Sequence, residues 1–339
     1  MMRKSIVFTQ AYRAELIEEP VPEPGEGQAL VRLAVSTISS GTERANLVGD
    51  CNVSIGGAPS DRAVFPRRGG YSSSGTVIRV GAGVTDFAPG DRVALSWTTH
   101  SQLVCVGTRE MTRLPDEVSF EEGALWHIAT FPLAALRKCR LEIGESAVVM
   151  GQGVLGMMAV KLLRAAGAVP VIAVDPAPEK RETALSIGAD AALDPFAPDF
   201  AAQVRRLTGG GARVALEVTG NGQALDQVLD CMARFGRVAL LGCTRHADFT
   251  IDYYRKVHGP GISLIGAHTM ARPETESSPG MWTTADDRAA ISRLVTGGRL
   301  EFASMIGETH RPDEAGAVYA RLAESRSFPL VQFDWRECP

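Results

Sequence analysis

The sequence predicts an α/β protein in which a β-rich first third leads into a doubly wound, six-stranded parallel sheet. Three observations carry this. Up to about residue 120, short alternating segments are separated by turn residues. Beyond residue 145, apolar strands alternate with helical patterns. Between the first of those strands and its helix, Val148-Val149-Met150 runs directly into Gly151-Gln152-Gly153-Val154-Leu155-Gly156.

In the first third, Ala29–Val35, Ser74–Val80 and Asp91–Leu95 alternate as strands do. Pro20-Val21-Pro22-Glu23-Pro24-Gly25, Gly81-Ala82-Gly83 and Pro89-Gly90-Asp91 supply the turns. After Leu114-Pro115-Asp116, Ser119 with Glu122 three residues on reads as a capping box that opens one helix running towards Arg137. The parallel strands are placed at Ser146–Met150, Val169–Asp175, Ala191–Asp194, Val214–Thr219, Arg237–Leu241 and Ile262–Ile265. A helix from Asp286 to Gly297-Gly298, a second from Pro312 and a strand at Leu330–Phe333 finish the pattern.

Composition narrows the function. A chain of 339 residues, 45% hydrophobic and 22% charged, has the size and balance of about two globular domains. With 35 basic and 39 acidic residues, a net charge of −4, it carries no electrostatic footprint for nucleic acid or an anionic membrane, so a small molecule is the expected partner. Six scattered cysteines without a Cys-x-x-Cys pair argue against a structural zinc knuckle and a disulfide framework. With no signal pattern at Met1–Gln10 and no apolar run long enough to span a bilayer, a reduced, cytoplasmic protein is expected.

The glycine motif has a physical logic. Gly151 permits a tight turn, Gly153 lets backbone N–H groups approach a pyrophosphate, and Gly156 lets helix pack on strand, while the helix N-terminus favours an anion. The next strand ends at Asp175, 24 residues after Gly151. A carboxylate there accepts ribose hydroxyls and repels a 2′-phosphate, which favours NAD(H) over NADP(H); Lys180 and Arg181 temper that preference.

The chain resembles the medium-chain dehydrogenase/reductase superfamily, the zinc alcohol and polyol dehydrogenases. The resemblance rests on Gly41-Thr42-Glu43, on Gly70 with Gly75-Thr76-Val77, on Val80-Gly81-Ala82-Gly83-Val84 and Pro89-Gly90-Asp91-Arg92-Val93, on the Gly151 loop and on Ala166-Gly167-Ala168. It implies a GroES-like catalytic domain over 1–122, completed by 302–339, and a Rossmann domain over 123–301, with a substrate cleft between domains and a homodimer or homotetramer. It also implies a catalytic zinc, yet the ligand positions hold Ser40, Tyr71 and either Trp126 or His127. Asp91 to Leu114 contains only Cys105, so the four-cysteine structural lobe is missing as well. No zinc is expected.

The resemblance carries further roles over by position. The dinucleotide set is Gly151, Gly153, Val154, Leu155, Gly156, Asp175 and Lys180, with Thr219-Gly220 beside the adenosine half. Gly242-Cys243-Thr244 and Gly266-Ala267-His268 lie at the nicotinamide end. Trp97 and His268 line the substrate pocket. Without a metal, a proton must still leave or reach the substrate oxygen, and His127, Tyr71, Thr42 and Ser40 are the candidates. His127 reads equally well as a core histidine on an Ala/Leu-rich helix, and Ser40 as a small space filler; Glu43 and His100 are expected to be structural. The leading reading is a zinc-independent NAD(H) oxidoreductase acting on a secondary alcohol or ketone, with a hydroxylated substrate such as a sugar, polyol or cyclitol. A quinone or enoyl reductase and a non-catalytic NAD(H)-binding protein are the alternatives.

Overall fold

The structure, a computed structural model, describes residues 1–53, 62–246, 249–325 and 327–338. The chain forms two compact units, one from residues 1–128, 292–297 and 301–339, the other from 129–291 and 298–300. Among the described residues, no helix is long and apolar enough to cross a membrane.

The first unit opens on a hairpin of β1 (Met2–Gln10) and β2 (Arg13–Pro20). β3 (Gln28–Thr37) then leads into α1 (Ser40–Val48), and β4 (Ser72–Val80), β5 (Arg92–Ser96), β6 (Leu103–Gly107) and β7 (Met111–Arg113) follow. The strands expected at Ala29, Ser74 and Asp91 are β3, β4 and β5. β3 pairs antiparallel with both β4 and β6, and β4 passes the sheet on to β5 and β7. α1 has an acid, Glu43, in its first turn and stops at Gly49, whose φ of 81° is left-handed.

The helix expected from Ser119 to Arg137 is broken in two: α2 (Phe120–Gly123) and α3 (Trp126–Lys138). The Ala124 carbonyl, which a continuous helix would need, accepts the hydroxyls of Thr37 at 2.9 Å and Ser72 at 2.7 Å. Half of the capping box forms, with Ser119 Oγ accepting Glu122 N–H at 3.1 Å. The Glu122 carboxylate turns away and accepts the N–H groups of Phe302 and Ala303 at 2.8 and 2.7 Å. These bonds hold residues 120–125 in the first unit, so the division falls after Ile128 instead of at 122.

The second unit continues with β8 (Ala147–Met150), α4 (Val154–Ala165), β9 (Val171–Val174), α5 (Pro178–Ser186), β10 (Ala191–Leu193), α6 (Phe200–Thr208), β11 (Ala212–Glu217), α7 (Gly222–Asp230), β12 (Met232–Leu240) and β13 (Ser263–Gly266). The sheet order is β10-β9-β8-β11-β12-β13, parallel at every pair. The strand order reverses between β8 and β11, the topological switch point where such sheets take ligands. β9 starts at Val171 because Pro170 has no N–H to give the ladder. Val148, Ile172, Val174, Ala215 and Val238 are fully buried in the core.

After α8 (Thr284–Thr296), the chain closes the first unit with β14 (Ile306–His310), α9 (Ala315–Glu324) and β15 (Leu330–Asp334). β15 lies parallel to β14 and antiparallel to β3, with Phe333 opposite Ser36. Tyr319, Phe333 and Trp335 share one core with Phe8, Leu33 and Leu95.

Burial raises the Glu122 carboxyl above its ordinary value despite its two backbone bonds. A group protonated more readily in the folded chain adds stability at low pH and loses that contribution as pH rises through its folded value. Glu122→Gln keeps the acceptor without a charge, so in urea unfolding it matches or exceeds wild type at pH 8 and gains less than wild type on acidification to pH 5. Glu122→Ala strands two amides and loses about 2–4 kcal/mol.

Candidate active site

In the second unit, β8 delivers the chain to Gly151 at φ 99°, a conformation that glycine adopts without strain. Gly153 is the N-cap of α4, and Val154 and Leu155 are its first residues. Gly156 packs so closely that a Cβ there would lie 1.9 Å from the Gly151 carbonyl oxygen. Asp175, just past β9 and buried, accepts Gln152 N–H at 2.8 Å and Ala177 N–H at 2.9 Å, one on each carboxylate oxygen. Lys180 Nζ stands 3.9 Å from the same carboxylate.

Gly151, Asp175 and Thr219 line one cavity of about 220 Å³, together with Pro195, Phe196 and Gln223. Apolar surfaces of Pro195 and Phe196 beside a carboxylate suit an adenosine: a flat base against the former, ribose hydroxyls donating to the latter. The glycine turn, the helix N-terminus and Asp175 therefore fit a dinucleotide. Gly242, Cys243, Thr244, Gly266, Ala267 and His268 do not line this cavity.

Gly266 is the last residue of β13, and the others lie in the segments that follow β12 and β13. Glu217, the last residue of β11, ties the region together: its carboxylate accepts the Thr219 N–H at 2.8 Å, the Gly220 N–H at 3.2 Å and the Thr219 hydroxyl. Its main-chain oxygen accepts Leu241 and Gly242 N–H. Burial pushes its carboxyl up. Ala267 N–H bonds to Leu240 O, and Lys138 Nζ donates to the carbonyls of Gly266, at 2.8 Å, and Ala271. His268 Nδ1 accepts Met270 N–H at 3.2 Å; burial, with Arg245 and Lys138 nearby, lowers its pKa. Cys243 is exposed.

The first unit assembles a different set. Tyr71, Trp97 and His127 pack ring to ring, with centroids 4.7 Å apart for Trp97 and His127, 5.8 Å for Tyr71 and Trp97, and 5.9 Å for Tyr71 and His127. His127 is the second residue of α3 and is buried, whereas Trp97 is half exposed. Trp97 holds φ at 55°, an uncommon conformation for so bulky a residue, and donates its N–H to Tyr71 O at 2.8 Å. The Tyr71 hydroxyl donates to Ser39 Oγ. Ser40, the serine named from the sequence, is the first residue of α1, and Thr42 lies one turn along from Ser39.

Behind this cluster Ser39 N–H donates to Glu43 at 2.8 Å. The other Glu43 oxygen accepts His100 Nε2 at 3.0 Å and the Tyr319 hydroxyl. His100 Nδ1 meets Ser36 Oγ at 2.7 Å, which accepts Trp335 Nε1 at 2.8 Å. Burial, and the Glu43 charge, push the Tyr319 phenol well above its ordinary value and keep it a donor.

These donors do not fit zinc. Two hydroxyls and one imidazole stand where Cys, His and carboxylate ligands are needed. Glu43, the nearby acid, has both oxygens engaged. Among the described residues, no three His, Cys, Asp or Glu side chains come together as a metal site.

Ser39, Glu217 and Phe196 were not singled out in the sequence. The motif points to Ser40 and passes over its neighbour Ser39, Glu217 is the polar end of an apolar strand, and nothing local marks Phe196. Of the polar aromatics between 253 and 282, Trp282 packs under the Arg137 guanidinium, 3.5 Å from its ring centre, while Tyr253 and Tyr254 are exposed.

Residues 154–285 match the zinc-binding dehydrogenase family and residues 25–138 match the alcohol dehydrogenase GroES-like domain. The chain is 30% identical over 256 residues to (R,R)-butanediol dehydrogenase of Bacillus subtilis, covering 68% of this chain and 73% of that one. It is 28% identical over 333 residues to L-threonine 3-dehydrogenase of Pyrococcus horikoshii, covering 88% of each. Its fold superposes, with a TM-score of 0.79 and 21% identity over 98% of this chain and 99% of that one, on a Sinorhizobium meliloti protein described as a putative zinc-binding dehydrogenase bound to NADP. The chain belongs to the zinc-type, alcohol dehydrogenase-like medium-chain dehydrogenase/reductase superfamily, and it is a dehydrogenase of that group.

Proposed function

We propose that this dehydrogenase interconverts a secondary alcohol and its ketone with NAD(H) and without zinc, on a small hydroxylated substrate such as a sugar, polyol or cyclitol. The observation that carries the reading is the Tyr71 hydroxyl, at a position where the superfamily keeps a metal ligand, held by Ser39 and packed beside Trp97 and His127. The named relatives act on butanediol and threonine, both of which carry a secondary alcohol. NAD bound at the Gly151 turn supplies the acceptor for a hydride. Tyr71 hydrogen-bonds the substrate oxygen and manages its proton; His127 backs the phenol and Trp97 walls the site.

Asp175 supports NAD(H). Its buried carboxylate faces the adenosine cavity, where a 2′-phosphate would meet like charge, and Lys180 at 3.9 Å offsets only part of it. The NADP of the Sinorhizobium structure belongs to that protein. A cytoplasmic homodimer or homotetramer completes the reading.

Three measurements test it. Fluorescence titration is expected to show NADH binding about tenfold or more tighter than NADPH, with Asp175→Ala narrowing the gap; tighter NADPH binding reverses the cofactor assignment. Elemental analysis of the purified protein is expected to find far less than one zinc per chain, and a stoichiometric zinc overturns the metal-free assignment. In a screen of polyols and secondary alcohols with NAD⁺, Tyr71→Phe and His127→Ala each lower turnover by roughly 10²-fold or more. Unchanged turnover in both sinks the mechanism, and activity confined to quinones or enones moves the chain to the reductase alternative.

A further inference from the structure

Two segments of the second unit meet at the cavity beside Asp175. Pro195 and Phe196 follow β10 in a turn where Asp194 Oδ1 accepts Phe196 N–H at 2.8 Å. From α7 come Gln223, Ala224 and Gln227, spaced along one helix face. Asn221, the N-cap, spends its side-chain oxygen on the N–H groups of Gln223 and Ala224. Gln223 is exposed, whereas Gln227 is half-buried and its Nε2 donates to Pro195 O at 2.8 Å. That bond fixes which way the amide faces: flipped, its oxygen would meet the Pro195 carbonyl, acceptor against acceptor. What Gln227 still offers is its oxygen and its second amide hydrogen, an acceptor beside a donor. Adenine carries the matching pattern, a 6-amino donor beside a ring-nitrogen acceptor. A 6-oxo purine sets an acceptor where the amide oxygen needs a donor.

We infer that Gln227 reads the base of the dinucleotide, its clamped amide taking the 6-amino group of adenine and turning away hypoxanthine or guanine. This rests on the functional reading above, in which the adenosine of NAD(H) fills this cavity. Asp175, in the same cavity wall, presents a carboxylate to the ribose hydroxyls. Gln227 presents an amide, which unlike a carboxylate has both a donor and an acceptor, and the Pro195 carbonyl decides which stands where. Pro195 and Phe196 supply apolar surface for the ring itself. A polar group held in one orientation discriminates by being left unpaired on the wrong base. Gln227 therefore sets which nucleotide is held and takes no part in moving hydride or proton.

The test needs no substrate. NADH and reduced nicotinamide hypoxanthine dinucleotide share the fluorescent nicotinamide and differ only at the 6-position of the purine, so one titration serves both. Wild type is expected to bind NADH about tenfold tighter than the hypoxanthine analogue. Gln227→Met keeps the length of the side chain without its polar atoms, and the two affinities come to within about twofold of each other. Gln227→Glu restores acceptor oxygens but cannot donate to Pro195, and it keeps a preference of about tenfold or more for NADH. A residue that only tied the Pro195 turn to α7 would weaken both ligands together and leave their ratio unchanged. Equal affinities in wild type, a ratio kept in Gln227→Met, or a ratio lost in Gln227→Glu overturns the inference. Tighter binding of NADPH than of NADH overturns the cofactor assignment alone, because NADPH and its hypoxanthine analogue then show the same ratio. A protein that binds none of these dinucleotides loses the cofactor reading and this inference with it.

Discussion

Glu43 is a buried carboxylate with three donors on its two oxygens: the Ser39 N–H, His100 Nε2 and the Tyr319 hydroxyl. An ionised carboxylate stripped of water is tolerated only when its partners are in place together, because removing one leaves a charge that costs several kcal/mol. Those partners come from the start of α1, from the segment before β6 and from α9. Gly69 closes the ring, since a Cβ there would sit 2.7 Å from Glu43 Oε2. The position of Ser39, and through it of Tyr71, follows from satisfying this one acid.

The same device recurs at two other junctions. Glu122 takes two backbone N–H groups where the chain re-enters the first unit, and Glu217 takes two more at the turn beside the dinucleotide cavity. Irregular backbone at a strand end has donors that no ladder satisfies, and one carboxylate can hold two or three of them. The loops that carry function are thereby built on fixed points rather than on their own weak preferences. The two units carry different sets of groups, one the glycine turn with Asp175 and the other the clustered rings of Tyr71, Trp97 and His127.

Much of this was legible from the residues. The six parallel strands announced themselves because each is a short apolar run bounded by turns, and the order of β8, the glycine turn, α4 and Asp175 left little freedom for what lies between. Boundaries were harder. The Ser119 capping box was visible and half correct, but a sequence pattern does not show that Glu122 has partners 180 positions away, nor that hydroxyls from β3 and β4 take the carbonyl that would continue the helix. At the site, Tyr71, Trp97 and His127 were recoverable by counting from motifs, and the structure brings them together. Ser39 was not, since the motif points to Ser40, and only the backbone at the start of α1 brings the neighbouring serine to the Tyr71 hydroxyl. Phe196 owes its place to the fold alone.

The pairing of β3 with β15 has a consequence for how the protein is made. Thr37 and Gln332, whose side chains hydrogen-bond, are separated by 295 positions. Translation at roughly 5–20 residues per second leaves the nascent strand exposed for tens of seconds before its neighbour emerges. During that time the Val35–Thr37 end of β3 lacks its β15 partner, Ser36 lacks Trp335, and Glu43 lacks Tyr319. The second unit, whose own sheet lies wholly between residues 147 and 266, can complete its hydrogen bonds first. The sheet of the first unit is therefore completed only after the chain between its two halves has been made, whereas the sheet of the second unit is continuous in sequence.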